Sequence, residues 1–186
     1  MRTLFPAAIF ALLTACSKPE PLPKYWSIPN FTLTDRAGQS FDSASLKGKV
    51  WVSDFFFASC PGACPMLSAR MSALHQQFAG EDRLRFVSIT TDPGHDTPEV
   101  LKEYAARFKA DARWIFLTGD KTGIWKLSRD GFKLAVADAP GEKEIIAHST
   151  RIVLIDKNGQ ARGFYDGIGD DRPNKIAEDI RKLLAE

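Results

Sequence analysis

Two cysteines four positions apart, Cys60 and Cys64, are the residues of this chain whose type and spacing best suit chemistry, in the run Phe55-Phe56-Phe57-Ala58-Ser59-Cys60-Pro61-Gly62-Ala63-Cys64-Pro65. Four residues span about 6 Å along a helix axis, and disulfides bridge Cα atoms roughly 4.4 to 6.8 Å apart. One pair could therefore close a disulfide or chelate a single metal ion. The apolar run Val50 to Phe57, rich in β-branched and aromatic residues, predicts a central strand buried on both faces. Beyond Pro65, Leu67, Met71, Leu74 and Phe78 fall on one face of an amphipathic helix. The cysteines then lie at a strand-to-helix junction, where unpaired N–H groups and the helix dipole favour thiolate, so both sulfurs are expected to be reactive. The bland alternative is a pair of buried cysteines acting as small hydrophobes.

The other elements must hold that junction in place. The chain has 186 residues, 44% hydrophobic and 26% charged, which fits one globular domain with appendages. Its 25 basic and 23 acidic residues leave a formal charge of +2 with no basic run, so nucleic acid is not an expected partner. Residues 1–15 read as a lipoprotein signal peptide: Arg2 precedes the short apolar segment Leu4 to Leu13, and Leu13-Thr14-Ala15-Cys16 resembles the bacterial lipobox. Cys16 is then a lipidation site rather than a thiol. Pro19, Pro21 and Pro23 predict an extended tether over residues 16–27. The placement that follows is the bacterial cell envelope, with the domain on the extracytoplasmic, periplasmic side of a membrane that holds the lipid.

From residue 28 to 186 the pattern alternates. Phe31 to Phe41 reads as a β-hairpin turning at Asp35-Arg36-Ala37-Gly38, and Leu84 to Thr91 as a strand. Thr97-Pro98-Glu99 starts a helix that buries Leu101, Tyr104, Ala105 and Phe108. Trp114 to Leu117 is a strand, Gly119 to Ser128 a short helix, Phe132 to Val136 a strand, and Asp138 to Lys143 a polar loop. His148-Ser149-Thr150 opens the strand Arg151 to Asp156, which turns at Asn158-Gly159 into Ala161 to Tyr165. A final helix from Pro173 buries Ile176, Ile180, Leu183 and Leu184. This order predicts a thioredoxin-like α/β/α sandwich with a mixed central sheet and an N-terminal β-hairpin.

The lipobox, the cysteine run, Thr91-Asp92-Pro93 with Asp96-Thr97-Pro98-Glu99, and His148-Ser149 before a strand together resemble the Sco/SenC family, over nearly all of residues 28 to 185. The resemblance implies a copper chaperone that matures, or prepares, the CuA site of cytochrome c oxidase. It implies Cys60, Cys64 and His148 as metal ligands, with Asp92 as a supporting acid. The implied partners are cytochrome c oxidase subunit II or a similar copper enzyme, together with a copper donor protein. Two thiolates and one imidazole suit copper, Cu(I) and/or Cu(II), and a low coordination number suits Cu(I) in a carrier. Zinc would accept the same donors, but an open three-ligand zinc site signals hydrolysis and no partnered general base stands out.

A rival reading is enzymatic: a tethered thiol–disulfide reductase acting on client cysteines, with the redox pair Cys60 as nucleophile and Cys64 as resolving thiol. The C-x-x-x-C spacing departs from the C-x-x-C of general oxidoreductases. A scaffold or adhesin would leave the paired cysteines unexplained. Of the remaining histidines, His75 is expected at a solvated helix edge and His95 in a loop. Relative to the family pattern, Gly62 and Ala147 stand where acids are common, and the missing negative charge is expected to ease thiolate formation.

Overall fold

The computed structural model describes residues 20–139, 146–169 and 173–186. The signal peptide and Cys16 lie outside the described residues, as does most of the polar loop after Asp138. At the centre is β3 (Val50–Phe56), buried along its whole length. It pairs in parallel with β4 (Leu84–Thr90), which pairs in parallel with β5 (Trp114–Thr118). The hairpin of β1 (Thr32–Asp35) and β2 (Ser40–Asp42) joins the far side of β5 in antiparallel fashion. On the other side of β3 come β8 (Arg151–Ile155) and β9 (Ala161–Asp166), each antiparallel to its neighbour. The sheet order is β2-β1-β5-β4-β3-β8-β9, a mixed sheet as the sequence predicts.

Alternation along β3 sends side chains to two separate cores. Val52 and Phe56 pack with α1 (Ala63–Gln77), α2 (Pro98–Arg107) and α4 (Pro173–Ala185), through Leu67, Met71, Leu101, Tyr104, Ile176 and Ile180. Trp51 and Phe55 face the opposite layer, where α3 (Lys121–Lys126) and the π-helical turn Leu127–Gly131 contribute Ile124 and Leu127, and Phe132 follows. The helix starts are chemically marked: Thr97 accepts from Val100 N–H and Asp120 from Gly123 N–H, each as an N-cap.

Two expectations need correction. Phe132 to Ala135 is not a strand; the strand is β6 (Val136–Asp138), which forms a separate two-stranded ribbon with β7 (Ile146–His148). Phe132 instead fills the lower core edge-on to Trp51 and Phe55. His75 is buried, only 5% exposed, rather than solvated. Its Nε2 lies 2.8 Å from Asp111 Oδ1 and its ring packs edge-on to Phe86. Part of the proline-rich stretch, read as an extended tether, is docked along the domain. Leu22 is buried in the main core, Tyr25 N–H donates to Ala161 C=O, and Ala161 N–H donates to Trp26 C=O, so the chain before Ile28 runs along the edge of β9. Extended polyproline-like backbone has no internal hydrogen bonds, which leaves its N–H and C=O groups able to pair with a sheet edge.

Candidate metal centre

The strand β3 ends at Phe56, and α1 begins seven residues later with Gly62 as an N-cap that offers no side-chain oxygen to the first turn. Cys60 sits in the bend between them and Cys64 in that first turn. Neither is in a disulfide, and both are buried, 6% and 0% exposed. The neighbouring loop is held against the bend by Asp96, whose buried Oδ2 accepts from Ala58 N–H at 2.9 Å and from Thr90 Oγ1–H at 2.5 Å. Thr91 N–H donates to Phe56 C=O at 2.7 Å, extending the β3–β4 contact past the strand ends.

His148 arrives from 84 residues away on the β6–β7 ribbon. Val136 pairs with His148, Ser149 N–H donates to Ala135 C=O, and the imidazole packs edge-on to Phe57 with ring centres 5.6 Å apart. Its Nε2 lies 3.2 Å from Cys64 Sγ, and its Nδ1 lies 3.0 Å from Ser149 C=O. A carbonyl only accepts, so Nδ1 carries the proton and Nε2 presents its lone pair to the sulfur. A metal-binding histidine needs that tautomer, with the outer nitrogen fixed by a backbone carbonyl. Cys64 is also hydrogen-bonded to Cys60. The three donors thus form a chain, Cys60 to Cys64 to His148, although no group of three His, Cys, Asp or Glu among the described residues already closes on one point. Two sulfurs with one imidazole nitrogen form the soft donor set that Cu(I) takes.

Burial overrides the helix end at Cys64. Desolvation pushes its thiol far above the usual range, while a hydrogen bond from the Phe57 backbone pulls the other way and Cys60 adds to the rise. The expectation that this sulfur is a ready thiolate therefore fails in the metal-free protein, because a partial charge at a helix terminus is smaller than the cost of a buried anion.

Asp92 stands at the end of β4, half-buried, its N–H bonded to Thr90 Oγ1. Its charge acts on His95, whose imidazole is raised first by its 2.7 Å contact with Asp96 and further by Asp92. His95 is exposed on this loop and committed to Asp96. Sequence reasoning passed over Asp54, which is fully buried on β3 facing the same layer as α1. It accepts from Ser88 Oγ–H at 2.5 Å, and Ser88 in turn accepts from Trp114 Nε1–H at 2.9 Å. The signal was present: an acid in the middle of an otherwise apolar central strand.

A thioredoxin-like sheet carrying two cysteines at its first strand-to-helix junction, with an imidazole delivered by a late ribbon, defines a class of thioredoxin-like dithiol proteins. Residues 21–185 match the SCO1/SenC family, and the chain belongs to it. A SCO1/SenC family lipoprotein from Bacillus anthracis superposes with a TM-score of 0.79 at 36% identity, covering 86% of this chain and 95% of that one. BsSco, described as a member of the Sco family of cytochrome c oxidase assembly proteins in which a disulfide switch was identified, gives 0.77 at 28%, covering 88% and 98%. Copper-bound ScoI from Bradyrhizobium japonicum gives 0.73 at 25%, covering 86% and 100%. No helix among the described residues is long and apolar enough to cross a membrane.

Proposed function

We propose that this protein is a membrane-tethered copper carrier that binds the metal through Cys60, Cys64 and His148 and passes it to, or prepares, the CuA site of cytochrome c oxidase subunit II or a similar copper enzyme. Copper is cargo here, received from a donor protein. The domain organisation that goes with this reading has Cys16 lipidated after removal of residues 1–15, with the domain on the periplasmic side. The observation that carries the proposal is the 3.2 Å approach of His148 Nε2 to Cys64 Sγ with the Nδ1 proton held by Ser149 C=O. Copper-bound relatives of the same fold and an assembly-protein relative support it. Asp92 lies on the loop that braces Ala58 and so supports the bend without being a donor in the chain of three.

The reductase reading has one observation in its favour: two adjacent cysteines not joined by a disulfide, in a family with a described disulfide switch. It leaves the imidazole beside Cys64 without a role, and the high thiol pKa of Cys64 suits a metal site that discharges protons on loading better than a freely attacking thiolate. The test is anaerobic titration of Cu(I) against a competing chelator. His148→Ala is expected to bind at least about tenfold more weakly, by analogy with the loss of a partner around a metal site. Equal affinity removes the imidazole from the site and returns the reductase reading to first place.

A further inference from the structure

Of the three donors proposed for copper, two ride on regular structure: Cys64 is in the first turn of α1, and His148 ends β7, which is paired with β6. Cys60 belongs to neither helix nor strand, so the place of its sulfur depends on what holds the bend. Within the bend, Cys60 N–H donates to Phe57 C=O at 3.3 Å, longer than most N–H···O bonds. A closer tie comes from 38 positions later in the chain. Asp96 is 0% exposed, and its Oδ2 accepts from Ala58 N–H at 2.9 Å and from Thr90 Oγ1–H at 2.5 Å, while its Oδ1 lies 2.7 Å from His95 Nδ1. Both oxygens are thus engaged, by three different pieces of backbone. The loop that presents Asp96 is itself fixed. Asp96 N–H and His95 N–H donate to Asp92 C=O, Thr91 N–H donates to Phe56 C=O, and the Trp125 indole reaches Thr91 C=O at 2.8 Å. Thr97 then caps α2. Asp96 therefore meets the bend from a loop tied to β3, α2 and α3.

We infer that Asp96 is a positioning residue of the metal centre: through Ala58 N–H it fixes the bend that carries Cys60, so that this sulfur is in place before metal arrives. This rests on the copper reading above and adds a residue that touches no metal. Asp92 serves the same loop through its backbone groups, whereas Asp96 reaches the bend with its side chain. A donor already in place carries no ordering cost at loading. A bend released from Asp96 has to be ordered by the metal itself, and affinity falls by that amount. Cys64 is held by its helix in either case, so the effect belongs to Cys60.

The test uses reduced, full-length protein and two substitutions. Asp96→Ala removes the acceptor; Asp96→Asn keeps an oxygen for Ala58 and Thr90 and turns its NH2 toward His95, whose Nδ1 accepts in the other tautomer. Against a competing chelator, Asp96→Ala is expected to bind Cu(I) about tenfold more weakly, the scale of loss when an outer partner of a metal site is removed. In the metal-free variant Cys60 should be alkylated faster than in wild type while Cys64 changes little, and Asp96→Asn should restore both readouts. A residue that only stabilised the fold would lower the urea midpoint and speed the two cysteines alike. Should Asp96→Ala fail to fold, hydrogen exchange of metal-free wild type decides: the Ala58 amide should be protected, as the β3 amides are. An Ala58 amide that exchanges at the unprotected rate overturns the inference and leaves the carrier reading standing. So does an Asp96→Ala protein with wild-type Cu(I) affinity and Cys60 reactivity, or an Asp96→Asn protein no better than Asp96→Ala. Wild type that binds no Cu(I) overturns the carrier reading and the metal role of Asp96 with it.

Discussion

Burial governs each of the reactive side chains in turn. Cys64 has the helix end, His148 and a Phe57 N–H beside it, yet desolvation dominates and keeps it a thiol. Reactivity toward a small alkylating agent depends on thiolate fraction and access, and Cys64 is deficient in both. In the reduced, metal-free protein Cys64 should be modified far more slowly at pH 8 than the same residue in denaturant, by mass spectrometry of the digested chain. Modification at equal rates would mean that the bend opens so often that the buried geometry does not describe the thiol. The His75–Asp111 pair shows the opposite balance: desolvation pushes the Asp111 carboxyl up, but hydrogen bonds from His75 and Arg113 outweigh it and hold the group down at about 2, and the pair ties the end of α1 to the turn before β5. His75 cannot be taken for a ligand of the metal centre, because its Nε2–H is already committed to Asp111 at the other end of that helix.

Elements far from the site fix how the domain meets its N-terminal segment. Arg162 on β9 is 2% exposed and donates to Asp156 Oδ2, to Glu186, and to the backbone carbonyls of Leu22 and Pro23. One guanidinium thereby joins the strand before β9, the end of α4 and the segment that leads back toward Cys16. The rigid five-donor fork makes such a junction possible and a lysine would not reproduce it. Arg162→Met should cost about 3 to 5 kcal/mol in urea denaturation, because Asp156 is left buried without its cation. Limited proteolysis should at the same time cut ahead of Ile28 in the variant and not in the parent. The sequence made the strands, the helix starts and the Asn158-Gly159 turn legible through periodicity and turn chemistry. It left two things illegible for a physical reason. The β6–β7 ribbon is too short for a periodic signal, with three residues in each strand, and Phe132 to Val136 offered a more hydrophobic decoy. The docking of Leu22 to Trp26 depends on a buried arginine about 140 positions away, which no local pattern encodes. The cysteine pair was visible from spacing, whereas the meeting of His148 with Cys64 required family resemblance, and the bond between Ser88 and buried Asp54 required seeing which face of β3 the acid occupies.

For the molecule as a whole, exposed Asp111 and buried Asp54 set opposite slopes on stability against pH. Asp111 has a folded pKa of about 2, below its unfolded value, so its contribution is present above about pH 4 and is lost as pH falls toward 2. Asp54 has a folded pKa of about 7 against an ordinary value of 3.8, so the folded state binds a proton that the unfolded chain releases across that window. Stability should therefore decline as pH rises from about 4 to about 7, by about 4 kcal/mol if a shift of about three units is converted at about 1.4 kcal/mol per unit. Above 7 Asp54 adds no further slope, since both states are then ionised there. Asp54→Asn removes the titration while keeping the bond from Ser88, so its stability should be nearly level between pH 4 and 7 and exceed that of wild type at pH 8. Urea midpoints of both proteins at about pH 4.5, 6 and 8 decide it. A wild type no less stable at pH 8 than at 4.5 would mean that water reaches Oδ2 or that Asp54 finds a cation, and the sealed layer between β3 and α1 would not be sealed.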